Sequence, residues 1–258
     1  MIPIGLLISW ATPAAIVPSA HARPTVSVTA CGQAVPPNAI GLLANDLDCT
    51  AFVGGIANEA VSLGHGAKLD LQGFTITGGL FGVGCYEVCP EGPGTGVACS
   101  PDGARCEIVN GTVTGAEASG ITGDVVTVRN VTASNNGDQG VQGYRKARAF
   151  DSTLTGNGVA GIRAWTVQIT NTTATGNARF GVAGSKRELS GRVTHGITLR
   201  DSTATGNGTA PDCSNLMPCA DVSSGTRPKL RRSTCVTSER PSFSGGCGAD
   251  EWCVCAVP

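Results

Sequence analysis

The sequence predicts an all-β fold, a parallel β-helix wound from a single strand of chain, and three observations lead there. The first is a repeat. Four segments overlay position by position: 126–136, 147–157, 167–177 and 197–207. Their Asn/Asp column falls at 130, 151, 171 and 201, giving steps of 21, 20 and 30, the last carrying an insertion. A Gly-apolar pair keeps step at Gly120-Ile121, Gly140-Val141, Gly161-Ile162 and Gly181-Val182. A period this short marks a solenoid, in which each unit covers the apolar face of the next. The second observation is the alternation of apolar and polar residues inside each unit, which is the period of a strand. The third is composition. With 37 glycines and four per cent aromatics in 258 residues, the chain suits a narrow stack of small β-branched side chains better than an ordinary core.

Taken in chain order, residues 1–22 are apolar, interrupted by Pro3, Pro13 and Pro18, and end in Ala20-His21-Ala22. They read as a secretory signal peptide with a small-x-small cleavage site, too short and Pro-rich for a membrane span. A segment over 23–58, holding Cys31 and Cys49, is expected to cap the exposed sheet at the N-terminal end. The β-helix itself is expected over 59–240, with a Cys-rich insertion at 84–106 and a loop insertion at 184–195. A Cys-rich C-terminal cap follows at 241–258. Twelve cysteines, an even number in an exported chain, read as disulfides. Zinc is disfavoured because no Cys-x2-Cys pair occurs and no His stands in register with the clusters.

Within a coil, Val126/Val128, Ala147/Ala149, Val167/Ile169 and Ile197/Leu199 are the expected inward pairs, and Val141, Ile162 and Val182 follow on a second strand. Thr132, Thr153, Thr173 and Thr203 form one column, and Ala133, Leu154, Ala174 and Ala204 another. The Asn/Asp columns at 130–201 and 136–207 are read as scaffold, since these residues accept left-handed backbone and can stack as side-chain ladders. Arg232 falls in the first of these columns through the overlay of 230–237 on 199–206. Roughly seven coils of about 20 residues are predicted, stacked ~4.8 Å apart.

Three segments carry a family resemblance: Asn45-Asp-Leu-Asp-Cys49, the run 67–78, and the Asn-x-Thr-Ala-Thr-Gly-Asn coils. They resemble exported bacterial right-handed parallel β-helix repeat proteins of the pectin-lyase-like group, over about residues 40–238. The resemblance implies right-handed winding. It implies little about activity, because that coil hosts pectate lyases, polygalacturonases, alginate lyases and epimerases, phage tailspikes and non-enzymes alike.

The chemistry those enzymes need is incomplete in this chain. Asp124, Asp138 and Asp151 lie in neighbouring coils, but no Asp-Asp pair exists and Arg145-Lys146-Ala147-Arg148 lacks the Arg-x-Lys spacing. The acids are too sparse for a calcium cluster. No metal or cofactor is therefore expected. His65, in Leu63-Gly-His65-Gly-Ala67, reads as a turn between strands. The insertion contributes Lys186, Arg187, Glu188, Arg192 and His195, which could hold an acidic sugar or form a solvated loop. A sharper pattern is an outward column, Asp124, Tyr144, Trp165 and Ser185, beside another, Thr122, Gln142, Arg163 and Ala183. Tyr144 and Trp165 on adjacent coils, with Arg163 and Asp124 close by, make a surface on which a pyranose ring could stack; cover for a seam under a neighbouring loop is the structural alternative.

The net charge of −1 excludes an electrostatic nucleic-acid footprint. The expected function is a secreted or surface β-helix protein, non-catalytic and monomeric, that binds glycan or another extracellular ligand on its lateral face. It is expected outside the cell or in the periplasm, without stable membrane insertion. The alternative is a small lyase, hydrolase or epimerase acting on acidic polysaccharide.

Overall fold

The structure, a computed structural model, describes residues 22–52, 59–85, 104–184, 196–210, 220–224, 228–236 and 238–239. Its described residues hold twenty-two strands and no helix, joined in one parallel sheet that does not close on itself. This arrangement is consistent with a β-solenoid.

The strands fall into three parallel ladders. The first joins Thr25–Val28, Ile40–Leu43, Lys68–Asp70, the start of Arg105–Thr114, the middle of Ile121–Ser134, the end of Gln139–Phe150, Thr166–Thr170, Ile197–Arg200 and Lys229–Arg231. The second joins Leu47–Cys49, Thr75–Gly78, the ends of Arg105–Thr114 and Ile121–Ser134, then Thr153–Thr155, Thr173–Thr175, Thr203–Thr205 and Thr234–Cys235. The third joins Gln33–Val35, Glu59–Leu63, Phe81–Cys85, the starts of Ile121–Ser134 and Gln139–Phe150, Ala160–Ala164, Phe180–Gly184, Ala220–Ser223 and Ser238–Glu239. Strands between 25 and 49 therefore pair in the same parallel ladders as the repeats.

The alternation read from the sequence packs the core. Val126, Val128, Ala147, Ala149, Val167, Ile169 and Leu199 are fully buried, as are Val141, Ile162 and Val182 and the column Ala133, Leu154, Ala174, Ala204. Each such Val, Leu or Ile contributes about 1.5–3 kcal/mol of burial.

The two Asn columns do different work. Asn110, Asn130, Asp151, Asn171, Asp201 and Arg232 all sit at φ between 46° and 59°, the left-handed corner where the chain leaves the first ladder for the second. They are partly or fully exposed, and their side chains pair in twos: Asn130 with Asn110 at 3.3 Å, Asn171 with Asp151 at 2.6 Å, Arg232 with Asp201 at 2.5 Å. The other column is buried and continuous. The side-chain amide of Asn136 donates to Asn157 Oδ1 at 2.9 Å, Asn157 to Asn177 at 2.8 Å, Asn177 to Asn207 at 2.8 Å, and Asn207 to the Asp221 carboxylate at 2.8 Å. Each Oδ1 also accepts the backbone N–H of the residue before it in the ladder, at 3.0–3.2 Å. The Gly beside this ladder leaves it room: a Cβ on Gly161 would come within 2.7 Å of Gly181 O and 3.0 Å of Asn177 Nδ2.

Disulfides Cys31–Cys49 and Cys85–Cys106 are formed, and Cys235 is disulfide-bonded as well. The second bridge closes the Cys-rich insertion at its base. Such bonds fit a non-cytoplasmic setting. No helix of the described residues is long and apolar enough to cross a membrane. The expected signal peptide apart from Ala22, residues 86–103 of the Cys-rich insertion, the 184–195 loop insertion apart from Gly184, and the C-terminal cap at 241–258 lie outside the described residues.

Candidate functional site

The third ladder brings Thr122, Gln142, Arg163 and Ala183 into direct register, but Thr122 and Ala183 are buried where the sequence placed them outward. Beyond them the register slips. Gly123 pairs with Gly143 and Val125 with Lys146, so Asp124 alone opposes Tyr144 and Arg145. On the other side Gln142 pairs with Arg163 and Lys146 with Thr166, so three residues of one strand oppose two of the next. This is a β-bulge, which breaks alternation and re-aims side chains. It accounts for the single 21-residue step between Asn130 and Asp151.

The bulge turns two consecutive side chains outward. Tyr144 is 42% exposed, the one exposed large aromatic among the described residues. Arg145, next to it, is exposed too and reaches back to Asp124, with Nε donating to Oδ2 at 2.6 Å and Nη2 touching the same oxygen. Asp124 is fully buried. Its carboxylate therefore serves as an anchor that holds the Arg145 guanidinium over the face, whereas the sequence placed Asp124 on the open surface beside the aromatics. On the neighbouring strand Ala160–Ala164 Arg163 is exposed, and Trp165, in the bend that follows it, is half-buried.

Below this pair the face is polar and covered. Ser119 Oγ lies 2.7 Å from Gln139 Oε1 and 3.0 Å from Gln142 Oε1. Thr122 is 3% exposed, and among the described residues its hydroxyl has no hydrogen-bond partner. Lys146, at the end of the bulge, has its pKa held below the ordinary lysine value by burial first and by nearby Arg148 second.

The adjoining first ladder adds charge that inspection of single repeats missed. Its outward columns carry Arg105 and Lys146, then Lys68, Arg148 and Lys229, then Arg129, Arg200 and Arg231. Acids in those columns are fewer: Asp70 and Glu107, the latter bonded to Arg129 at 2.9 Å. Arg129 also lies over the Phe150 ring at 4.1 Å. The signal was available only after strand register was known, because the cations occupy different positions in different repeats. His65 sits in a turn, as its glycine neighbours predict. Among the described residues, no group of three or more His, Cys, Asp or Glu side chains could hold a metal ion. Lys186, Arg187, Glu188, Arg192 and His195 lie outside the described residues.

No protein-family model, curated protein or solved structure matches the chain.

Proposed function

We propose that this is an exported parallel β-helix protein that binds a glycan, without cleaving it, on the face built by the bulge. The observation that carries the reading is the bulge itself. It exposes Tyr144 beside an anchored Arg145, with Arg163 on the next strand and Trp165 in the bend after it. Aromatic side chains offer sugars an apolar face and a polar rim, and guanidinium groups donate forked hydrogen bonds to carboxylates. The neighbouring cation columns favour an acidic glycan over a neutral one. Winding in a right-handed sense agrees with the general hand of parallel crossover connections. Disulfides and the apolar N-terminal segment 1–22 support export.

The test is a titration of the purified protein with a panel of acidic and neutral oligosaccharides, scoring binding and cleavage together. Trp165→Ala and Tyr144→Ala should each weaken acidic-glycan binding about tenfold, the equivalent of ~1.4 kcal/mol, with the fold intact. Appearance of unsaturated or reducing-end products would replace the binder with an enzyme. No binding to any panel member would refute the reading.

A further inference from the structure

The second ladder carries a two-dimensional array that the glycan reading does not use. Six strands in unbroken parallel register present Thr75-Ile76-Thr77, Thr112-Val113-Thr114, Thr132-Ala133-Ser134, Thr153-Leu154-Thr155, Thr173-Ala174-Thr175 and Thr203-Ala204-Thr205. Thr234 prolongs the first column. In every tripeptide the middle residue is buried in the core, which turns the flanking threonines outward, while Ser134 is itself buried with its hydroxyl on Thr114 Oγ1 at 3.2 Å. Thr153, Thr173 and Thr234 are exposed and the other threonines half-buried, the cover expected of side chains stacked on their own neighbours.

From Thr75 onward neither column contains a charged residue, although the first ladder beside it is studded with Lys and Arg. Asp46 and Asp48 flank the array at its N-terminal end. Strand geometry sets the spacings at ~4.8 Å between strands and roughly 6.7 Å between alternate residues along a strand, so Thr75 to Thr234 spans about 29 Å. The buried Asn136–Asn207 ladder runs alongside and holds successive repeats in register. Threonine is stiff at χ1, so the hydroxyl and methyl of each residue keep fixed places in the lattice.

We infer that this face binds ice. An uncharged, rigid grid of hydroxyls and methyls, repeating in two directions near the oxygen spacings of a prism face, orders water into the same grid and joins it to the crystal. A charged polymer finds no partner there, and a small sugar would use only a corner of the array. The site is separate from the bulged face and stands or falls independently of it.

The experiment is measurement of thermal hysteresis and ice-crystal shaping on the full-length disulfide-bonded protein, together with Thr173→Tyr and Thr153→Lys. Wild type should depress the freezing point below the melting point and facet the crystals. Each variant should lose most of that activity while keeping its circular dichroism spectrum, and Trp165→Ala should keep it. Should one variant fail to fold, the other and the wild-type measurement still decide the matter. Absence of hysteresis and shaping in the folded wild type would overturn the inference. So would retention of ice only by nonspecific trapping, or binding to crystalline cellulose or chitin without hysteresis.

Discussion

Two faces of the same stack are built from the same repeat yet differ in regularity. On the second ladder the register never slips, and the outward side chains repeat almost letter for letter from Thr75 to Thr205. On the third ladder one extra residue interrupts the pairing, and the side chains that reach the surface there become Gln142, Arg163, Tyr144, Arg145 and Trp165. Periodicity suits a ligand that is itself a lattice. A discrete ligand needs diverse groups converging at one place, and the bulge supplies the departure from period that allows it. Both faces depend on one scaffold, the buried Asn ladder and the apolar columns between them.

The strongest way to break the comparison is to remove that shared scaffold. Asn157→Ala deletes the acceptor of the Asn136 amide and backbone N–H and the donor to Asn177 Oδ1 and Ala133 O. Leaving those groups buried and unbonded should cost about 3–4 kcal/mol in denaturant unfolding. In the exposed column Asn171→Gly should change stability by no more than about 0.5 kcal/mol, because glycine accepts the same left-handed backbone. Equal losses at the two positions would show that the columns are not distinct.

A smaller effect should separate the faces. Asp124→Ala removes the anchor of Arg145 and should cost about 1–2 kcal/mol, since Arg145 itself remains hydrated. Glycan binding should fall with it, while the threonine face stays in register by hydrogen exchange. Smallest of all is the contribution of the exposed Arg232–Asp201 pair. The bond from Arg232 first, and then its charge together with that of Arg200, lowers the Asp201 pKa below 3.8. A depressed carboxylate stabilises the fold above its unfolded value and loses that contribution as pH falls through the folded one. Arg232→Gln should therefore be slightly less stable than wild type at neutral pH, and the two curves should converge on acidification below pH 3.8. A gap that persisted in acid would assign the effect to packing.

The repeat made the ladders legible, since strand alternation depends on nothing but neighbouring residues. It also placed Arg232 correctly beside Asp201, and the left-handed corner followed from Asn and Asp at 130, 151, 171 and 201. What separates Asn130 from Asn136 could not be read there, because burial is decided by the glycines that the preceding turn of chain lays against it. The 21-residue step announced one extra residue but not its position. That position depends on Arg145 reaching the buried Asp124, a contact between strands. Strands between Thr25 and Cys49 were hidden for a different reason: they share the ladders but lack the Asn/Gly punctuation of the repeats.

The measurement that bears most directly on the functional reading is calorimetric titration of wild type and Trp165→Ala with an acidic oligosaccharide that the wild type binds. Affinity about tenfold weaker in the variant, at unchanged melting temperature, is the predicted result. Equal affinity in the two proteins would contradict it and move the ligand off the bulged face.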